Sequence, residues 1–119
     1  MYGLPSDFDA KFLVGRTLEQ ICFNQNQIAL HFDDDLSIVV ESAFSHGGSL
    51  TPSDARIVEV PVKHSNLMQL LGLSVSEASG DEDGSLTLVF DNGHTFRCFD
   101  TSREYESYKI QHRATEIIV

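Results

Sequence analysis

The strongest chemical signal in the sequence is an acidic run, Asp81-Glu82-Asp83-Gly84, whose carboxylates are the kind of oxygen ligand that calcium prefers. A helix–loop–helix calcium loop starting at Asp81 would need an oxygen ligand at position 85 and a glutamate at position 92. Ser85 is a weak ligand and Asn92 is not a glutamate, so the run is better explained as a solvated hairpin loop.

The remaining chemistry-bearing residues form no recognisable site. None of the five histidines has a metal-ligand spacing, and the loop Ser45–Ser49 lacks the lysine of a phosphate-binding loop. Carboxylates are abundant but crowded into exposed turns, which do not push their pKa values apart as acid–base catalysis requires. We therefore expect no catalytic residues, no metal, no cofactor and no enzymatic activity.

The two cysteines, Cys22 and Cys98, each lie inside an apolar, strand-like run. Buried free thiols are the favoured interpretation, and a disulfide between them stays open. Their acidic surroundings argue against a catalytic thiolate, because a thiolate needs a positive environment.

The negative charge of this chain, −10 in total, is concentrated in two windows. Residues 31–41 carry a net charge of −4 without any lysine or arginine, and residues 77–106 carry −6. Local negative charge attracts basic partners and repels nucleic acid. The windows supply most of the predicted partner-binding residues: Asp33, Asp34, Asp35, Asp81, Glu82, Asp83, Asp91, Glu104, Glu106.

An internal repeat indicates which elements position these acids. The segments 13–41 and 70–99 match at Gly15 and Gly72, and again at the apolar trios that end in Phe32-Asp33 and Phe90-Asp91. The offset is 57 residues at the glycines and 58 residues afterwards, because the second copy has one extra loop residue. Three strands are predicted in each copy. In the first copy they are Thr17–Phe23, Gln27–Phe32 and Leu36–Glu41, and in the second copy they are Leu73–Ser79, Ser85–Phe90 and Thr95–Phe99.

The sequence thus predicts a single, mainly β domain (residues 1–119): a duplicated three-strand antiparallel meander with one or two short helices. The helices are expected over Asp9–Val14 and His64–Leu71, each ended by a glycine. Further strands are expected at Arg56–Val62, Glu106–Gln111 and Thr115–Val119, and a loop at Ala43–Ala55. Asn92-Gly93 predicts a two-residue hairpin turn with positive φ at both residues. Ten side chains should be buried together: Ile28, Leu30, Phe32, Ile38, Val40, Leu86, Leu88, Phe90, Phe96, Cys98.

The string from Arg103 to Ile110 places Tyr105 and Tyr108 among acids, a plausible binding surface because tyrosine adds contact area at little entropic cost. Tyrosines packed on the sheet are the alternative. With the preceding hairpin, Leu86–Phe99, this ending resembles a small bacterial family that is similar to the immunity proteins of contact-dependent-inhibition and polymorphic-toxin systems. The resemblance implies a cytoplasmic antitoxin that blocks a toxin domain such as a basic nuclease.

Charge and resemblance together predict an acidic binding protein that neutralises a basic partner, in the way of an immunity protein. The alternatives are a nucleic-acid mimic that inhibits a DNA- or RNA-handling enzyme, and a small-molecule-binding or enzymatic β domain. The chain has no apolar run long enough to span a membrane, and its first residues lack a basic-then-apolar pattern, so we expect neither membrane insertion nor a secretory signal.

Overall fold

The computed structural model describes residues 4–5, 7–47, 56–60, 66–100 and 107–119, and within these ranges the chain is mainly β. Two four-residue 3₁₀ helices, Ala10–Leu13 and Leu67–Leu70, stand where short helices were predicted. No helix in these ranges is long and apolar enough to cross a membrane. The strands are β1 (Leu18–Phe23), β2 (Ile28–Phe32), β3 (Leu36–Val40), β4 (Ala43–Gly47), β5 (Arg56–Glu59), β6 (Val75–Gly80), β7 (Leu86–Phe90), β8 (Thr95–Phe99), β9 (Tyr108–His112) and β10 (Thr115–Ile118).

The strands of the described ranges form two five-stranded antiparallel sheets, and the duplicated meander is confirmed. One sheet has the order β1-β2-β3-β9-β10, and the other has the order β5-β4-β8-β7-β6. The alternating apolar residues of both meanders face each other between the sheets, and all ten side chains predicted to be buried are buried. Phe32 stacks on Phe90, its counterpart in the second copy, with ring centroids 6.4 Å apart.

The two halves exchange hairpins. The β4–β5 hairpin follows the first meander but pairs with β8 of the second, and the β9–β10 hairpin follows the second meander but pairs with β3 of the first. The prediction of a loop over Ala43–Ala55 is therefore wrong for Ala43–Gly47, which is β4. The Ser, Gly and Pro residues of the whole stretch 43–55 indicated a loop, but pairing with β5 and β8 on its two sides imposes the extended backbone on Ala43–Gly47.

The two sheets meet where the repeats touch. Thr17 and Ser74 form an isolated antiparallel bridge, and their hydroxyl oxygens lie 2.9 Å apart. A bulge follows at the same place in both copies, between Leu18 and Gln20 and between Val75 and Glu77. The equivalent bulges and the paired hydroxyls indicate that an approximate two-fold axis relates the two halves.

The prediction of a two-residue turn with positive φ at both Asn92 and Gly93 is wrong. Only Gly93 has a positive φ (84°), and the amide of Gly93 donates to the carbonyl of Phe90, which makes a three-residue loop with a terminal left-handed glycine. The amide of His94 donates to the Asn92 side chain, which satisfies that amide locally. The first copy instead places Asp34 (φ 61°) and Asp35 (φ 55°) in the left-handed region.

Candidate binding site

In the first acidic turn, Asp33–Asp35, the fold surrounds the Asp34 carboxylate with basic side chains. Arg113 donates to both carboxylate oxygens of Asp34, at 2.8 and 3.0 Å, and His112 Nε2 lies 3.0 Å from Oδ2. Arg16 Nη1 adds a contact of 3.4 Å to the same carboxylate. These partners, led by the Arg113 and His112 hydrogen bonds, lower the pKa of Asp34 to about 2. Asp34 therefore has a structural role in joining the β2–β3 turn to the end of β9.

Asp33 and Asp91 have equivalent structural roles at the junction of the sheets. The amide of Thr17 donates to Asp33 Oδ1 at 3.1 Å, and the amide of Ser74 donates to Asp91 Oδ2 at 3.2 Å. In return, the amides of Asp33 and Asp91 donate to the carbonyls of Thr17 and Ser74, each at 3.0 Å. These two predicted partner-binding residues thus hold the Thr17–Ser74 bridge in place.

The acidic loop between β6 and β7, residues 81–85, keeps an excess of negative charge. Arg97 Nη2 lies 2.8 Å from Asp81 Oδ2 and 3.8 Å from Asp83 Oδ2. The side chain of Asp83 accepts a hydrogen bond from the Ser85 amide, and hydrogen bonds from Ser85 lower the pKa of Asp83. Glu82 has no ion pair among the described residues. Two of the three carboxylates thus share one guanidinium group, and the loop keeps a net negative charge.

The shape of this loop depends on Gly84. Its φ is 88°, and a Cβ there would lie 2.7 Å from Asp100 Oδ2. The Gly84 carbonyl accepts a 2.6 Å hydrogen bond from the hydroxyl of Tyr108 on the other sheet. The backbone of the loop is therefore held from both sides at Gly84.

An open pocket of about 440 Å³ lies beside the acidic loop. The N-terminal segment packs closely against β6 at Gly80. A Cβ there would lie 2.8 Å from Leu4 Cδ1 and 2.9 Å from Phe8 Cδ2, so these side chains would have to shift. Apolar and acidic residues share the lining: Leu4, Pro5, Phe8, Gly80, Asp81, Glu82. The sequence pattern missed Leu4, Pro5 and Phe8. The available signal was an apolar cluster immediately before the first 3₁₀ helix.

Tyr108 does not fit its predicted role at a partner surface. Its side chain is fully buried, and burial together with nearby negative charges such as that of Asp100 raises the pKa of its phenol. Tyr108 is therefore a core residue, as in the alternative interpretation of the sequence. Glu104, Tyr105 and Glu106 lie outside the described residues.

Both cysteines are free thiols. Cys98 is completely buried, and burial raises the pKa of its thiol, which disfavours a reactive thiolate. Within the described part of the chain, no three histidine, cysteine, aspartate or glutamate side chains are grouped so that they could hold a metal ion.

Comparison with known proteins identifies the family. Residues 10–119 match the family described as Family of unknown function (DUF6188). The chain belongs to the DUF6188 family. No curated protein and no solved structure matches it. The residues matched to DUF6188 include the acidic loop and Arg97, whereas the apolar wall of the pocket, formed by Leu4, Pro5 and Phe8, precedes them.

The pocket combines an apolar wall with exposed carboxylates, which complements a group with an apolar stem and a cationic head. Lysine and arginine side chains have this chemistry, and arginine can also form bidentate pairs with carboxylates.

Proposed function

We propose that this protein is an acidic binding protein that recognises a basic partner protein through the acidic loop and its pocket. The observation that carries the proposal is the juxtaposition of Asp81 and Glu82 with an apolar wall that includes Phe8. A lysine or arginine of the partner would lay its methylene stem on the wall and its charged head against the carboxylates.

The second acidic window supports the proposal better than the first. In the first acidic turn, Asp34 is shared by two arginines and a histidine, so little of its charge is left for a partner. In the acidic loop, Arg97 is the cation that contacts Asp81 and Asp83, while Glu82 is exposed at the pocket. Excess charge at an exposed loop can steer a basic protein and raise its association rate.

The resemblance of the C-terminal half to immunity proteins favours a toxin domain as the partner. An antitoxin of this kind would meet its toxin in the cytoplasm, and rapid electrostatic association would suit it. The partner contacts of Glu104, Tyr105 and Glu106 stay predictions.

The test begins with capture of the partner from the native host by the tagged protein, followed by mass spectrometry. Stopped-flow association then compares Glu82→Lys with Glu19→Lys, which makes the same charge change at an exposed β1 residue outside the pocket. We expect Glu82→Lys to slow association several-fold at low salt, with the difference fading as salt screens the charges. Equal association rates for the two variants would refute the role of the acidic loop.

The apolar wall is tested separately. Phe8→Ala removes contact area without changing charge, so it should speed dissociation and leave the association rate nearly unchanged. Because Phe8 also packs edge-on against Phe12, with ring centroids 6.1 Å apart, thermal unfolding must show that the variant is folded at the assay temperature. Unchanged dissociation in a folded Phe8→Ala protein would exclude the pocket from the interface.

A further inference from the structure

Two histidines form a hydrogen-bonded pair at one end of the ladder between β4 and β8, here called the β4–β8 seam. His46 lies on β4, His94 directly precedes β8, and both are partly buried. His46 Nε2 lies 3.0 Å from His94 Nδ1, and the ring centroids are 5.1 Å apart. The short N···N distance means that one ring donates a proton and the other accepts it.

The equivalent position in the other half holds aliphatic side chains. His46 pairs in register with Phe96, as Ile110 pairs with Ile38 across the ladder between β3 and β9, the β3–β9 seam. His94 stands two residues before Phe96, as Leu36 stands two residues before Ile38. Leu36 and Ile110 are each 1% exposed. The two seams therefore differ at this pair of equivalent positions. The β4–β8 seam has two imidazoles there, and the β3–β9 seam has two aliphatic side chains.

Protonation has a definite consequence for such a pair. A neutral pair, or a pair carrying one extra proton, can keep an N–H···N bond, but two imidazolium rings offer two donors and no acceptor. They would also bring two positive charges into contact at a partly buried site. Burial, and secondarily the charge of His94, lowers the pKa of His46, which is the direction expected for a ring that resists protonation in the folded state.

The charged groups on the surrounding elements do not neutralise the positive charge of a protonated His46–His94 pair. Arg97 is on β8 but belongs to the opposite face, where it contacts Asp81. Asp91, in the turn before His94, accepts a hydrogen bond from Ser74. Arg56 is the register partner of His46 on β5. Among the described residues, no carboxylate forms an ion pair with either imidazole.

We propose that the His46–His94 pair makes the β4–β8 seam acid-sensitive, so that acidification loosens the exchanged β4–β5 hairpin while the β3–β9 seam stays closed. A contact between two imidazoles is found at only one of the two equivalent seams. In the β3–β9 seam the histidine of β9, His112, contacts the Asp34 carboxylate instead, so acidification brings no pair of like charges together there and the opening is selective. Release of this hairpin would expose the edge of β8 and the buried ring of Phe44, which stacks on Phe96 with centroids 5.4 Å apart.

Amide hydrogen exchange by NMR at pH 7.5 and pH 5.0 tests this selectivity, with the β3–β9 seam as the internal control. Protection factors remove the intrinsic effect of pH on exchange. We expect protection in β4 and β8 to fall roughly tenfold or more relative to β3 and β9. The limit is about 30-fold for each histidine that takes up a proton only in the open state. Equal losses of protection in both seams would overturn the proposal.

The matched variant is His46→Ile/His94→Leu, which installs the residues found at the equivalent positions. The selective loss of protection should disappear in this variant, and its persistence would overturn the proposal. If the variant does not fold, ring-nitrogen shifts of the wild-type protein decide. His46 should take up its proton at a lower pH than an ordinary histidine, whereas titration of His46 at the ordinary histidine pKa would contradict the mechanism.

Discussion

Removal of the Tyr108 hydroxyl should destabilise the fold although the ring stays in place. In Tyr108→Phe the buried ring is retained, and the change is the loss of the 2.6 Å hydrogen bond to the Gly84 carbonyl. Gly84 is itself buried, so its carbonyl loses this partner in a place that water does not readily reach. Leaving a buried acceptor unsatisfied costs about 1–3 kcal/mol.

Urea unfolding followed by circular dichroism measures this cost. With an m-value of about 2 kcal/mol/M, the midpoint should fall by roughly 0.5–1.5 M while the m-value stays unchanged. Because the pKa of Tyr108 is raised, its hydroxyl remains a donor and the difference should be the same at pH 6 and pH 8. A midpoint shift below about 0.2 M would show that this hydrogen bond does not hold the loop.

Three further outcomes are expected. Asp34 has its pKa lowered from 3.8 to about 2 in the folded protein, so the stability from its ionised form is complete above about pH 4 and is lost as the pH falls through 2. Asp34→Asn should therefore flatten the wild-type loss of stability over this range, as measured by urea unfolding at each pH, and an unchanged pH profile would contradict this role. Gly84→Ala should destabilise more than Gly15→Ala, because both have positive φ but a Cβ at position 15 meets nothing within 4 Å; equal urea midpoints would argue against the Asp100 contact. A thiol reagent should label Cys22 readily and Cys98 only on unfolding, and fast labelling of both in the native protein would be inconsistent with the burial of Cys98.

The sequence predicted the two meanders because their signals are local. Alternation of apolar residues such as Leu86, Leu88 and Phe90 defines a strand and the face it buries, whatever the rest of the chain does. Phe90-Asp91 and Phe32-Asp33 also mark equivalent turns, so the repeat could be aligned without the structure.

The exchange of hairpins between the two halves could not be predicted from local sequence patterns. Strand pairing between β4 and β8 joins residues about fifty positions apart, and no local pattern states that one half pairs with the other. The same limit applies to the charges. Arg113 and Arg16 are distant in sequence from Asp34, so a window that reads as uniformly acidic becomes an ion-pair cluster after folding.

The two halves depart from two-fold symmetry at Tyr108 and at the acidic loop, and a hydrogen bond connects the two departures, which supports the proposed role of the acidic loop. Tyr108 pairs in register with Val40 as Phe44 pairs with Cys98, so the two aromatic rings are equivalent, and only one has a hydroxyl. That hydroxyl binds the carbonyl of Gly84, in the loop that is one residue longer than its counterpart between β1 and β2. A longer loop alone would be a tolerated insertion. A longer loop that carries carboxylates and is hydrogen-bonded to a buried hydroxyl from the other sheet is held in place before binding, which would lower the entropic cost of binding the proposed basic partner.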